Sequence, residues 1–408
     1  MVKKAALAAL ALLCAAPLPD AQATNGDTLI GVAAASRAMG GAGVAAPQDA
    51  IGAIFANPAA MCMGPYCPGS ETVFAATVYA PSVKTQVRVG PNAQGAKSNM
   101  KPFVIPSVGM TTPVNDRVRF GLGMFGITGM GVDYRNEGLD LNPASPASEG
   151  DIYTQLQILK FAPNLAYLVT PDLSVGASLH LLYGSLDLGQ GTAHNYGLGG
   201  QVGAIYRAGP FSFGGSYTTA ENISHKDISD FGTGGPRREL AMESPRTAAA
   251  GVAWRITPEL LVETDVKWLN WSDAKGYKEF DWSDQWVYAV GVQYKDPDGL
   301  TLRGGYNYGK SPVKVHDNFD ASGTTAVQGQ PVSTLLYEYL RVVGFPAIAE
   351  HHFSVGIGYQ VSGRLEAHVG GMCTLSESIS ERDSSGTFGF TSKLRETSYD
   401  VGLIWHFI

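Results

Sequence analysis

Charge is scarce in this chain. Of its 408 residues only 16% are Asp, Glu, Lys or Arg, against about 25% in ordinary soluble domains. The net charge is -7, so there is no basic footprint for nucleic acid. Long apolar runs are missing as well. No stretch of about 18 uncharged apolar residues occurs after the N-terminus, which excludes a helical membrane anchor. Cysteine is limited to four residues. No His or acidic residue accompanies Cys62 or Cys67 at metal-ligand spacing, and no nucleophile–base pair is recognisable. These absences argue against an enzyme, a metal site and a cofactor.

The N-terminus reads as an export signal over residues 1–23. Lys3 and Lys4 precede an apolar stretch from Ala5 to Ala16, too short to span a bilayer. Ala21-Gln22-Ala23 is a small-x-small cleavage site, which puts the start of the mature chain at Thr24. Leu13 stands before Cys14, where a lipoprotein signal needs a small residue, so lipidation is not expected. An exported, apolar chain without a spanning helix has one main way to sit in a membrane, as a closed barrel. In an oxidising compartment Cys62 and Cys67 are disulfide candidates. Cys373 is left unpaired, facing lipid or sheet.

Residues 71–408 break into short segments whose side chains alternate. In 286–294 one face carries Trp286, Tyr288, Val290, Val292 and Tyr294, and the other Val287, Ala289, Gly291 and Gln293. The last segment sets Tyr399, Val401, Leu403, Trp405 and Phe407 opposite Asp400, Gly402 and His406. Period-2 alternation means strands with one apolar and one polar or small face. About fourteen such segments can be drawn, near 72–80, 103–111, 117–126, 154–169, 173–188, 197–208, 210–219, 246–256, 259–269, 285–295, 299–308, 350–361, 363–374 and 397–408. Tight turns rich in Pro, Gly, Asn and Asp alternate with long polar connections at 127–153, 220–245, 309–349 and 375–396. Short periplasmic turns alternating with long outer loops are the pattern of an outer-membrane barrel.

Residues 24–70 do not alternate. Ser36 to Gly43 is too Gly-rich for a strand or a stable helix. Gln48 to Phe55 is a candidate short helix after Pro47, ended by Asn57-Pro58. With Ile51, Ile54, Phe55 and Met61 to bury, this segment is expected to plug the lumen.

Several of these elements resemble the FadL/TodX family of outer-membrane transporters of long-chain fatty acids and aromatic hydrocarbons. The resemblance rests on Arg37-Ala38-Met39-Gly40-Gly41-Ala42-Gly43, Pro47-Gln48-Asp49-Ala50 and Asn57-Pro58-Ala59 near the N-terminus. Farther on it rests on Trp268-Leu269-Asn270-Trp271-Ser272, on Leu302 to Tyr308 with Ser311-Pro312-Val313, and on His352 to Tyr359. It implies an all-β transmembrane barrel of about 14 antiparallel strands over 71–408, plugged by a hatch of short helices at 24–70. It also implies a kinked third strand that opens a side window to the bilayer. The cargo would be a small hydrophobic molecule, admitted passively, gated by the hatch and released sideways into the membrane. Outer-membrane lipid and the barrel assembly machinery are the other expected partners. Candidate ligand-binding or gating residues are Asn25, Leu29, Asn57, Pro58, Ala59, Ile127, Gly129, Gly131, Lys267 and Arg303. The alternatives are a porin for polar solutes, an outer-membrane enzyme such as a lipase, and a surface adhesin or lipid-binding barrel.

Three motifs invite other readings. Gly304 to Ser311 matches a phosphate-binding loop, but Tyr306 and Tyr308 continue a strand and no helix pattern follows. Gly121-Leu122-Gly123-Met124-Phe125-Gly126 matches a dinucleotide fingerprint inside a strand, and Ser272 to Lys275 matches SxxK without companion motifs. Glu263, Asp265 and Lys267 share one strand face, which suits a lumen network holding the hatch or meeting a ligand head group. His351 and His352 point to opposite faces of their strand, unlike a metal pair. Gly126, Gly129 and Gly131 on the third strand predict a bulge or inward kink.

Overall fold

The computed structural model describes residues 24–62, 70–139, 152–231 and 234–407. The export signal and Cys67 lie outside these residues, as does the side chain of Cys62, so the disulfide expectation does too.

The chain forms a barrel of fourteen antiparallel strands. They are β1 (Ser70–Val89), β2 (Phe103–Pro113), β3 (Val118–Asp133), β4 (Tyr153–Thr170), β5 (Leu173–Asp187), β6 (Thr192–Ala208) and β7 (Phe211–Thr218). The second half is β8 (Thr247–Arg255), β9 (Leu260–Leu269), β10 (Gln285–Lys295), β11 (Leu300–Gly309), β12 (His351–Ser362), β13 (Leu365–Thr374) and β14 (Phe388–Phe407). Each strand pairs with the next, and β14 closes on β1 from Phe388↔Val89 to Phe407↔Ser70. Closure removes the unpaired edges that a bilayer does not tolerate. Among the described residues no helix is long and apolar enough to cross a membrane.

Alternation fixes which face is which. On β10 Trp286 and Tyr288 are exposed at 54% and 51%, whereas Val287 and Ala289 are buried at 0% and 1%. The outer face carries apolar and aromatic side chains, as contact with lipid requires. Charged residues of the wall, such as Glu263 and Asp265, point inward and are buried.

The long connections hold more order than their polarity suggests. Strands Asn92–Lys97 and Glu377–Arg382 lengthen the wall beside β1 and β14. Glu221–Ser229 pairs with Arg238–Ser244, and Thr324–Val327 pairs with Gln330–Ser333. β3 continues to Asp133, into a stretch expected to be loop.

Residues 24–62 sit inside the barrel, and 24–61 are almost wholly buried. Two expectations need correction here. Helix α1 (Ala33–Ala38) includes Ser36 to Ala38, a stretch read as unfit for a helix. All six of its residues are buried and it packs on β12, β13 and β14, so tertiary contacts override weak propensity. The glycine effect appears just after it, where Gly40 and Gly41 take φ of +67° and +73°. Helix α2 spans Ala50–Ala56 and starts later than expected, because the Asp49 carboxylate accepts the Gly52 amide at 2.7 Å and caps it. A short 3-10 turn, Pro58–Cys62, follows.

Candidate functional site: a lumen cavity beside a broken strand pair

The hatch is held by side chains of the wall. Asp265 accepts the amides of Gly43 at 2.8 Å and Val44 at 3.1 Å, and Glu263 accepts those of Ala45 at 2.7 Å and Ala46 at 2.9 Å. Lys267 donates to the Gly41 carbonyl at 2.9 Å. Glu71 accepts the Ala50 amide at 2.7 Å, and Arg37 pairs with Asp400 at 2.8 Å. Charge-assisted bonds to backbone amides are worth about 1.5–3 kcal/mol each. The wall also comes close. A Cβ on Gly305 would lie 2.1 Å from the Gly40 nitrogen, so a side chain there would push the hatch away.

Between the hatch and the β3–β9 wall lies a cavity of about 110 Å³. One side is apolar, built by Leu29, Ile30, Ile54, Phe55, Phe125 and Ile127. The other carries Lys160, His180, Gln201, Glu221 and Lys267. Glu221 receives Lys160 at 2.9 Å and sits within hydrogen-bond distance of His180, so the charge of Lys160 is balanced inside the wall. Lys267 is engaged by the hatch. The cavity therefore offers an apolar body site with a polar rim whose cations are already hydrogen-bonded.

β3 separates this cavity from the membrane, and its pairing breaks there. The ladder with β2 stops at Ser107↔Phe125. On the other side the ladder with β4 shifts register between Gly126 and Thr128, leaving Ile127 as a bulge. Thr128 pairs instead with Thr28 of the hatch. Phe125 and Ile127 face the cavity, whereas Gly126, Thr128 and Gly129 line an outward cleft of about 300 Å³ with Phe103 to Pro106. One strand thickness divides the two spaces.

The residues picked out from sequence divide into groups. Asn25, Leu29, Ile127 and Lys267 line the cavity. Gly129 lies on the outward cleft, and it and Gly131 border a small cavity of about 20 Å³ next to Thr24 and Glu396. Asn57, Pro58 and Ala59 do not line the cavity. Asn57 is fully buried and donates to the carbonyls of Val44 at 2.8 Å, Ala204 at 3.1 Å and Gly215 at 3.3 Å. Arg303 is also elsewhere, near the short-turn end of the barrel, bonded to Gln293 at 2.8 Å and His368 at 2.9 Å. The trio Lys160, His180 and Glu221 escaped the sequence reading. Its members come from separate segments, and the available signal was a charged residue on the inner face of an apolar strand.

The motifs with other readings fall into place. Gly304 to Gly309 is strand, with no helix after it. Gly121 to Gly126 lies within β3. Ser272 donates to Asp284 at 2.7 Å. His351 meets the Tyr306 hydroxyl at 2.8 Å, while His352 is buried on the inner face. Cys373 is free and exposed.

The fold is similar to that of the Pseudomonas putida toluene transporter TodX, with 19% identity over 92% of this chain and 99% of that one and a TM-score of 0.67. It is likewise similar to a Pseudomonas aeruginosa FadL homologue, with 16% identity over 93% of this chain and 99% of that one and a TM-score of 0.68. At such identities the likeness establishes the fold. No curated protein matches the sequence. The family model for outer membrane protein transport proteins matches residues 13–234 and 194–320. The chain is thus an outer-membrane protein and belongs to the OMPP1/FadL/TodX family of transport proteins.

Proposed function

We propose that this barrel is a passive channel for small hydrophobic molecules, gated by the hatch and emptied sideways into the bilayer. The observation that carries the reading is the position of the cavity. It lies against the one stretch of β3 that has lost its β2 partner, with a lipid-facing cleft on the other side.

Sideways release suits apolar cargo, which avoids re-exposure to water at about 25 cal/mol per Å² of apolar surface. The size of the cavity bears on the cargo. An apolar cavity of about 150 Å³ takes up a benzene ring. At about 110 Å³ the present cavity is smaller than that, so one ring, or one section of a longer chain, enters only as the hatch shifts. A buried plug that fills the lumen argues against a water-filled pore for polar solutes. No catalytic arrangement accompanies the cavity among the described residues, so transport without chemistry is the activity proposed.

Reconstitution tests the reading. Liposomes holding the barrel should take up a labelled monoaromatic hydrocarbon or a long-chain fatty acid faster than empty liposomes. Their permeability to a neutral sugar should match that of empty liposomes. Sugar flux without hydrophobic flux would overturn the reading in favour of a porin.

A further inference from the structure

The outer face of the wall carries a cationic patch at its loop end, around the β1–β14 seam. Lys84 of β1 pairs in register with Lys97 on one side and with Lys393 of β14 on the other. Gly389 lies between Arg88 and Arg382 in a second row above. Arg395 stands two positions below Lys393 on the same face. Lys84, Arg88, Lys97, Arg382 and Lys393 are exposed. The positions between them are Gly, Ala, Ser, Thr and Gln. Among the described residues none of the six cations has an ion pair with a carboxylate. Like charges placed directly opposite on neighbouring strands repel. Three lysines in one row, in a chain of net charge -7, make an arrangement that an anion would relieve.

The patch sits at a definite height. Arg395 lies twelve residues up β14 from Phe407, roughly 40 Å along the strand and, at a barrel tilt of about 40°, roughly 30 Å in height. The apolar band of such a barrel is about 25 Å tall. Arg395 therefore stands at the outer edge of the hydrocarbon, with the other cations at head-group level and above. Directly beneath it runs a lipid-facing groove of about 320 Å³. Its floor is Gly371, Cys373 and Thr397, and its walls include Phe353, Val355, Tyr399 and Val401. Arg395 closes the upper end of the groove. The hollow exists because Gly371 presents no side chain between Val355 and Tyr399, its partners on the adjacent strands.

We propose that this face is a binding site for a phosphorylated glycolipid of the outer leaflet. One acyl chain lies in the groove over Gly371, and the phosphates rest on Arg395, Lys393, Lys84 and Lys97. The charge complementarity selects phosphate, and the groove selects a lipid rather than a soluble anion. The site is on the opposite side of the wall from the lumen cavity and is independent of the transport reading.

Native mass spectrometry of the detergent-solubilised barrel tests this, with diphosphorylated lipid A and its dephosphorylated form as the added probes. The native protein should retain lipid A and not the dephosphorylated form. Lys84→Gln/Lys393→Gln/Arg395→Gln should lower retention on the order of a hundredfold, while Lys84→Arg/Lys393→Arg keeps it. Gly371→Leu fills the groove and should weaken retention of lipid A severalfold. Heat-modifiable migration on gels confirms that each variant is a folded barrel. Equal retention of both probes, or undiminished retention by the triple variant, overturns the site. Full retention by Gly371→Leu overturns the placement of the acyl chain.

Discussion

Ile105 of β2 fills the space that a side chain on Gly126 of β3 would need, its Cγ2 lying 2.5 Å from where that Cβ would stand. The two strands meet here by packing alone, because their hydrogen-bonded ladder has already ended at Ser107↔Phe125. Leu29 of the hatch belongs to the cluster of Tyr79 and Phe103 against which Ile105 packs. The seam between cavity and membrane is thus closed by side chains, which can move without breaking a ladder.

The size of residue 105 should therefore set the rate of hydrophobic uptake. Ile105→Ala is expected to raise the uptake of a labelled hydrophobic probe several fold, and Ile105→Trp to lower it. The cost in barrel stability is modest, about 1–3 kcal/mol for truncating a partly buried Ile. Equal rates for the Ala and Trp variants in proteoliposomes would show that the seam is not on the route.

Asn57 acts as a staple between hatch and wall. Its amide serves three carbonyls and its oxygen accepts the Ala59 amide at 3.1 Å. Asn57→Ala should loosen residues 24–62 by about 1–3 kcal/mol, at about 1 kcal/mol for each neutral bond lost. Hydrogen exchange of the hatch amides should accelerate and uptake should fall, with barrel migration on gels unchanged. Unaltered exchange would contradict this role.

Asp265 and Glu263 hold four consecutive hatch amides. Asp265→Ala leaves those of Gly43 and Val44 buried without an acceptor, at about 1–3 kcal/mol for each. Asp265→Asn keeps an acceptor oxygen and should be clearly milder. The same exchange experiment separates the two, and equal protection in both variants would deny the carboxylate its holding role.

The outer loops predict a pH dependence. His316 reaches Glu338 at 2.8 Å and Asp281 at 3.0 Å. The bond to Glu338 lifts the His316 pKa above the usual histidine value, against burial. A raised histidine pKa stabilises the cluster fully below the unfolded value of about 6.5 and loses that contribution as pH rises through the folded pKa. Burial also pushes the neighbouring Glu381 carboxyl up to about 7. A carboxyl raised in this way costs stability from its ordinary value of about 4.5 up to about 7, which weakens the cluster in the same direction but at lower pH. Proteolysis of 310–345 should quicken as pH rises from about 5 to about 8, the Glu381 contribution acting up to about 7 and that of His316 above about 6.5. Replacing His316 with Gln should flatten that response, and a steeper response in H316Q would contradict the assignment.

Much of the wall is legible from sequence because one rule governs each strand. The alternation of 286–294 reports β10 directly, since lipid takes one face and the packed lumen the other. The turns at 171–172 and 296–299 are legible through Pro, Asp and Gly. The hatch is less so. Helix α1 lies in Gly-rich surroundings and exists because the barrel encloses it. The partnership of Asp265 with Gly43 spans more than two hundred residues and leaves no local trace. The glycines of 126–131 announce an irregular β3, but that its exposed edge pairs with Thr28 follows only from the folded arrangement.

A crosslink across the β2–β3 seam shows whether cargo leaves there. Cysteines replacing Ile105 and Gly126, whose side-chain positions adjoin, are introduced in a C373S background and oxidised in proteoliposomes. Uptake of a labelled hydrophobic probe is followed before and after reduction, with the C373S parent, which keeps Cys62 and Cys67, and the two variants carrying only one introduced cysteine as controls. Oxidation should block uptake, reductant should restore it, and the controls should not respond. Transport at the normal rate through the oxidised, crosslinked barrel would contradict release at this seam and send the cargo out by another path.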